Sequence, residues 1–394
     1  MAKKFKRYDR DRPYLNILDF LSEEKTFLII IVVGIIVAAT STTNANFAMW
    51  VGFFFAAYAA VANDSIQSLG TFIESNKANK WWILWLFIGG IFLVTVTFSF
   101  IYFDGDVTYQ RLTNPDGTSD YPHPEKFTFF QVIAPLVLLI LTRLKMPVST
   151  TFLLLSVFSA DTSGITSVIF KSWSGYILAF IISFLVWYLS YNTIRKYFKS
   201  RKHSQYWMAV QWIVSGTLWA TWVMQDGANI AVFLPRSQTV GQFSIFALTI
   251  FFGLGLLFYL RGDKIQGVVS EKTRVSDIRA ATLIDLSYVI LLVYKLFIST
   301  VPMSTTWVFL GIIGGREIAI SLSRKKKGNK HKKKAAFMIG KDFGYAMIGL
   351  FVSIILAASG NSAIRDEIIL QFKTYFNENF YFYSFTCMCN IVFL

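Results

Sequence analysis

Apolar residues gather along this chain into long, nearly continuous runs separated by short polar stretches. A helix needs about 20 mostly apolar residues to cross the hydrocarbon of a bilayer. Runs that approach or reach that length lie at 26–44, 46–62, 81–103, 127–142, 147–160, 168–192, 206–224, 240–260, 280–300, 303–322 and 336–359. They predict an all-α integral membrane protein of about 10–12 transmembrane or re-entrant helices. The runs at 46–62, 127–142 and 147–160 are short for a full crossing, so broken or re-entrant helices are expected there.

Composition agrees with this pattern: 54% of the 394 residues are hydrophobic and 15% are charged, too apolar a balance for an ordinary soluble domain. The first run follows a basic segment (Lys3, Lys4, Lys6, Arg7, Arg10, Arg12). It is long and no small-residue cleavage site follows it, so a retained helix is expected. Cys387 and Cys389 are the only cysteines, too few ligands for a zinc site, and no metal, disulfide framework or cofactor is expected. A net charge of +15 raises nucleic acid as a partner. The Lys and Arg residues instead sit in short connections between apolar runs, as the positive-inside rule describes, which points to the lipid bilayer and away from nucleic acid.

That rule also predicts orientation in the cell membrane. The basic N-terminus (1–25), the 195–205 connection, and the connections at 261–279 and 324–334 belong in the cytoplasm. The 104–126 connection is acidic (Asp104, Asp106, Asp116, Asp120, Glu125) and turn-rich at Asn114-Pro115-Asp116-Gly117, and belongs outside. The chain then divides into a first transmembrane repeat at 26–194, a second at 206–359 and a C-terminal tail at 360–394.

Two polar motifs recur in the same order in each half. The first pair is Ala62-Asn63-Asp64-Ser65-Ile66-Gln67-Ser68-Leu69-Gly70-Thr71 and Asp226-Gly227-Ala228-Asn229-Ile230-Ala231-Val232-Phe233-Leu234-Pro235. The second is Pro147-Val148-Ser149-Thr150-Thr151 and Pro302-Met303-Ser304-Thr305-Thr306. Alternating the runs between the fixed connections puts Pro147 near an inner helix end and Pro302 near an outer one. The halves are therefore expected to be inverted-topology repeats, an arrangement of many secondary transporters with substrate held between the halves.

Proline is at home in the first turn of a helix, so each Pro-x-Ser-Thr-Thr reads as a helix start whose free N–H groups and hydroxyls face an anion. Ser149, Thr150, Thr151, Ser304, Thr305 and Thr306 are thus candidate ligands of a tetrahedral oxyanion. The plainer alternative is that the hydroxyls only cap helices or bond back to carbonyls. Asn63 and Asp64 stand against an apolar helix end, where a carboxylate needs a cation or proton partner. An Asp beside an amide oxygen offers the hard oxygen ligands that Na+ takes, and a protonatable Asp serves H+ equally well. Lys295 and Arg143 are expected to snorkel toward the interface. Asp285 and Glu317 lie near run ends, and the many aromatic residues suit lipid-facing and interfacial belts.

These motifs resemble the paired signatures of the inorganic phosphate transporter family, Gly-Ala-Asn-Asp-x-x-Asn-Ala-x-Gly-Thr/Pro and Pro-Val-Ser-Thr-Thr-His, over roughly residues 48–320. Pro147 to Thr151 match in full, and Pro302 to Thr306 match apart from Met303. Asn63, Asp64, Gly70 and Thr71 match the first Asn-Asp motif, with Gln67 at its second Asn. In the second Asn-Asp motif Gly227, Ala228, Asn229 and Pro235 remain, while Ile230 replaces the Asp and Phe233 the second Asn. Phe152 and Trp307 stand where the family usually has His. The resemblance implies symport of phosphate with Na+ or H+. It implies substrate contacts from Asn63, Asp64, Asn229 and the six Ser/Thr residues, and coupling-cation contacts from Asn63, Asp64, Gln67, Asp226 and Asn229. Asp226, four residues before Ile230, supplies the missing carboxylate if the chain rearranges locally.

Rival expectations are a sulfate or other oxyanion permease of the same fold, and a non-transporting membrane receptor or scaffold suggested by Ile230 and Phe233. Further copies of the same chain are an open partner. An enzyme is not expected: no nucleophile has a nearby base, and the three histidines lie in or beside polar connections.

Overall fold

The computed structural model describes residues 24–113, 117–144, 146, 148–200, 205–260, 277–298, 302–323, 328–371 and 373–374. The regular structure among them is all helical, with no strand. In chain order the long helices are α1 (Lys25–Ser41), α2 (Ala45–Ser75), α3 (Trp81–Tyr102), α4 (Phe129–Arg143), α5 (Thr162–Ser200), α6 (Gln205–Ala231), α7 (Val240–Tyr259), α8 (Ile278–Ile298), α9 (Thr305–Ser323) and α10 (Gly328–Gly360). Between α4 and α5 lie only a π-helical turn (Thr151–Leu155) and a 3-10 turn (Ser156–Phe158).

Among the described residues seven helices are long and apolar enough to cross a membrane: α2, α3, α5, α7, α8, α9 and α10. α1 and α4 are shorter apolar helices. Large apolar side chains such as Val94, Phe98, Leu189, Ile213 and Phe297 point outward from the bundle. A helix whose outer face is apolar needs a solvent as apolar as itself, which a bilayer supplies.

Two expectations about elements change. The 46–62 run is not a short or broken helix: α2 continues without interruption to Ser75, about 46 Å at 1.5 Å per residue, and Asn63 and Asp64 sit in its interior rather than at its end. The 147–160 run does stay short and broken as expected, its π-helical turn passing into a 3-10 turn that ends at Phe158. The basic 195–200 and 328–334 stretches are not loops but the last turns of α5 and the first of α10. Residues 261–276 and 375–394, including Cys387 and Cys389, lie outside the described residues, as does Pro147.

α5 and α9 form the closest helix pair. A Cβ on Gly311 would stand 2.5 Å from the Tyr176 carbonyl oxygen, and one on Gly315 would strike the Phe180 carbonyl. This Gly-x-x-x-Gly spacing lets two backbones touch, and it leaves the Ser183 hydroxyl within 2.7 Å of the Ile312 carbonyl, to which it donates. Trp187, Trp219, Trp222 and Trp307 are buried, so the tryptophans are not only an interfacial belt. Trp219 and Trp222 stack with centroids 4.7 Å apart.

The chain after α10 also packs. Residues 362–371 are helical, the Asn361 amide donates to the Ser159 carbonyl at 2.9 Å, and Glu367 Oε2 accepts the Thr162 N–H at 3.0 Å. That carboxylate therefore caps the start of α5 from a distant part of the chain. Ile364 and Ala357 complete a small apolar cluster with Ile165.

Candidate functional site

The 104–126 connection folds back over the ends of α3, α6 and α7. Gly105, at φ +93°, approaches the α6–α7 connection so closely that a Cβ would lie 2.7 Å from Ser237 Oγ, and its carbonyl accepts the Gln238 N–H at 2.9 Å. Arg236 donates to the Leu234 carbonyl at 2.9 Å and to the Tyr121 carbonyl at 2.5 Å, holding this cover to the end of α6. Burial pulls its guanidinium down to about 10, against the attraction of Asp106.

Beneath this cover both Pro-x-Ser-Thr-Thr motifs begin their turns in the same way. Ser149 Oγ accepts the Phe152 N–H at 3.1 Å, and Ser304 Oγ accepts the Trp307 N–H at 3.2 Å. Each serine is thus an N-cap, the plainer of the two roles weighed for it. The expectation that proline occupies the first helical turn is corrected for the second motif: Pro302 precedes α9 by three residues, and Ser304 caps the helix that Thr305 begins. The capped turns meet through Phe152 and Trp307.

The threonines do different work. Thr150 Oγ1 donates to Asp64 Oδ1 at 2.6 Å. Its neighbour Thr151 donates to Asp226 Oδ1 at 3.2 Å. One dipeptide therefore joins a carboxylate of α2 to a carboxylate of α6, and Asp64 lies in the electrostatic field of Asp226. Asn63 Nδ2 donates to Asp64 Oδ1 at 2.8 Å and to Thr150 Oγ1 at 3.1 Å. Asn229 repeats the pattern, donating to Asp226 Oδ1 at 2.9 Å and to Thr151 Oγ1 at 3.2 Å.

The remaining sequence candidates surround this core. Gln67 Nε2 donates to Asn63 Oδ1 at 3.2 Å. The Thr305 hydroxyl faces Asp226. Thr306 Oγ1 donates to the Val148 carbonyl at 3.3 Å, which also accepts Asn63 Nδ2. Thr142, which no motif signals, donates to Asn63 Oδ1 at 3.2 Å. Tyr288, equally silent in sequence, donates its hydroxyl to the Thr305 carbonyl at 2.7 Å.

Asp226 reaches this cluster without any local rearrangement of its helix. α6 is unbroken through Ala231, so residues 226 and 229 share a face by ordinary helical spacing. Ile230 and Phe233 are packed in the apolar core instead, and Phe233 lies over Gly52 with its ring 4.8 Å from that of Phe158.

Three buried oxygens in this cluster have no hydrogen-bond donor: Asp64 Oδ2, Asp226 Oδ2 and Asn229 Oδ1. Two neighbouring buried carboxylates and an amide oxygen form a strongly negative, oxygen-only environment, costly unless a cation or protons neutralise it. Such a donor set suits a hard cation. Among the described residues no group of three or more His, Cys, Asp or Glu side chains converges as a metal site.

Further along the same face of α2, a third buried acid appears. Asp285 of α8 accepts Thr71 Oγ1 at 2.5 Å and Ser215 Oγ at 2.6 Å. It lies well inside its helix, not at a run end, and the rarity of acids in spans is the sequence signal that marks it. Beyond it the Asn76 amide donates to Gln211 Oε1 at 2.9 Å.

The two charged residues expected near the interface have partners within the protein. Lys295 is 9% exposed and donates to Ser174 Oγ at 2.8 Å. Arg143 pairs with Glu24, donating through Nε at 2.8 Å, and its guanidinium lies over the Phe27 ring. Glu317 accepts from Arg316 at 2.9 Å. Comparison of the chain with known protein families, characterised proteins and solved structures returns no match.

Proposed function

We propose that this chain is a secondary transporter that moves inorganic phosphate, or a closely similar oxyanion, by symport with Na+ or H+. The observation that carries the proposal is the Thr150-Thr151 bridge between Asp64 and Asp226, which leaves three buried acceptor oxygens without donors. A cation or a proton bound there neutralises the cluster. Its arrival and departure change the electrostatics felt by an anion at the adjoining helix starts.

Each half contributes one motif of each type, which is the economy of an inverted repeat with substrate between the halves. The matching serine caps at Ser149 and Ser304 support that pairing. Each serine oxygen accepts a backbone N–H and keeps its O–H to donate to an anion. The Thr305 and Thr306 hydroxyls and the Asn63 and Asn229 amides join them in this reading only by exchanging their present protein acceptors for substrate. N-terminus in the cytoplasm and residence in the cell membrane belong to the same proposal.

Radiolabelled phosphate uptake into proteoliposomes, with Na+ and pH gradients imposed separately, tests it. Uptake driven by one gradient is expected, with unlabelled phosphate competing better than sulfate. Uptake under neither gradient rules the proposal out, and better competition by sulfate reassigns the substrate.

A further inference from the structure

The two Ser-Thr-Thr motifs are held in different ways. The second opens α9, which runs unbroken to Ser323 and is fixed in place where its backbone touches α5 at Gly311 and Gly315. The first leads into a π-helical turn (Thr151–Leu155) and then a 3-10 turn (Ser156–Phe158), two different hydrogen-bond registers in succession. Such stretches are short by nature and mark hinges and functional sites. What holds this one in shape comes largely from outside it.

Gln131 Nε2, at the start of α4, donates to the Val157 carbonyl at 3.1 Å. α10 lies along the stretch as a splint. Its Gly349 approaches Val148 so closely that a Cβ would stand 3.0 Å from that side chain, and Asn361, just past its end, donates from Nδ2 to the Ser159 carbonyl at 2.9 Å. Between those two contacts α10 is continuous helix, about 18 Å at 1.5 Å per residue.

The chain after α10 closes the outer end. Asn361 Oδ1 accepts the Ala363 N–H at 2.9 Å and so caps the helical residues that follow. Glu367 Oε2, on those residues, accepts the Thr162 N–H at 3.0 Å, at the start of α5. Ile364 is fully buried with Ile165 and Ala357. Ser159 and Thr162 bracket the passage from the 3-10 turn into α5, so one short segment grips both sides of that passage. A carboxylate on a first-turn N–H also gains from the helix dipole.

We propose that Asn361 and Glu367 are positioning residues for the first Ser-Thr-Thr motif: they clasp the outer end of its broken helix, about which the Thr150-Thr151 side of the site moves while the Ser304-Thr306 side stays fixed. In a phosphate symporter this motion lets Thr150 and Thr151 leave Asp64 and Asp226 when the coupling ion departs, a role that rests on the transport reading given above. The difference in rigidity between the two motifs does not depend on that reading.

Hydrogen–deuterium exchange of the purified full-length protein, read by mass spectrometry, tests the clasp together with phosphate uptake into proteoliposomes. In the wild-type protein the amides of 152–158 are expected to exchange at least tenfold faster than those of 307–315. Phosphate with the driving ion is expected to slow the first set at least threefold and the second less than twofold. Asn361→Asp keeps the cap on Ala363 and removes the donor to Ser159. This variant and Glu367→Ala are expected to speed exchange at 152–158 at least threefold and to raise the phosphate concentration for half-maximal uptake at least threefold. Glu367→Gln, which keeps an acceptor, is expected to stay within twofold of wild type in both. Ile364→Val replaces any variant that does not fold, with at least twofold faster exchange at 152–158 expected.

Faster exchange confined to 159–164, with unchanged uptake, makes the two residues a local brace and overturns their positioning role. Equal exchange at the two motifs in a wild-type protein that transports phosphate overturns the moving half and leaves the transport reading intact. A wild-type protein that neither binds nor transports phosphate overturns the transport reading, and exchange at 152–158 in the variants then decides the clasp by itself.

Discussion

Phe152 and Trp307 meet edge to face, with ring centroids 5.4 Å apart and planes at 78°. Each is the residue that follows a Ser-Thr-Thr triplet, and each N–H is held by the serine of its own triplet. The ring contact is therefore what brings two separate helix starts together, in a geometry that aromatic pairs favour. Trp173 joins it from α5, 5.5 Å from Trp307. The Trp307 indole N–H has no acceptor, so the ring contributes as an apolar body. Trp307→Ala is expected to cost about 3–5 kcal/mol of stability and Trp307→Phe roughly 1–2 kcal/mol. Thermal unfolding in detergent checks this; equal losses in the two variants would mean that packing at this ring is not what holds the turns together.

The Thr150 and Thr151 hydroxyls donate to the two carboxylates, and valine replaces each threonine with nearly the same volume and no donor. A hydrogen bond to a charged group is worth about 1.5–3 kcal/mol, or roughly 10- to 100-fold in an equilibrium constant. Thr150→Val and Thr151→Val are expected to shift the cation or proton dependence of phosphate uptake by that factor, with Thr150→Ser and Thr151→Ser close to wild type. Uptake measured against the driving ion separates these outcomes. An unchanged dependence in both valine variants takes the threonine bridge out of the mechanism.

Asp226 and Ile230 lie one turn apart on α6 and have opposite environments: the acid faces the polar cluster, and the isoleucine lies in the apolar core. Asp226→Asn keeps the shape of the side chain and removes a charge, so it is expected to leave the fold intact and abolish coupled uptake. Ile230→Asp buries an unpaired carboxylate and is expected to destabilise the protein by about 3 kcal/mol or more, seen as lost yield of monodisperse protein. Normal coupled uptake by Asp226→Asn refutes the assignment of this carboxylate.

Apolar run length made the helical, membrane-suited character of the chain legible, because bilayer thickness alone dictates it. It did not reveal that α2 passes unbroken through Asn63 and Asp64. A polar pair lowers hydropathy without breaking a helix when its side chains find partners on neighbouring segments, here Thr150 and Thr142. The 147–160 run was legible as a broken helix from its length: its apolar residues from Val148 to Phe158 are buried around two short turns, and burial of that kind imposes no helical length. The Asn-Asp and Ser-Thr motifs located most of the cluster, but the partners of Asp64 and Asp226 depend on tertiary contacts across 75 or more residues.

Asp285 ties three helices together, with Thr71 of α2 on one carboxylate oxygen and Ser215 of α6 on the other. Thr71 belongs to the same motif as Asp64, seven residues and about two turns further along one helix. Under the proposed transport function, a buried acid at that distance would offer a proton or cation leaving the Asp64–Asp226 cluster a third carboxylate on its way toward Asn76 and Gln211. Asp285→Asn retains shape and one acceptor, so its structural cost is expected to be modest, about 1.5–3 kcal/mol for one charge-assisted bond. If Asp285 only braces the helices, uptake should follow stability, and lowering the temperature should restore it. If it carries the coupling ion, concentrative uptake is lost while exchange of internal for external phosphate continues, because exchange does not require the ion to be released. Measuring both modes on the same proteoliposomes decides between the two roles, and equal loss of exchange and concentrative uptake rejects the relay.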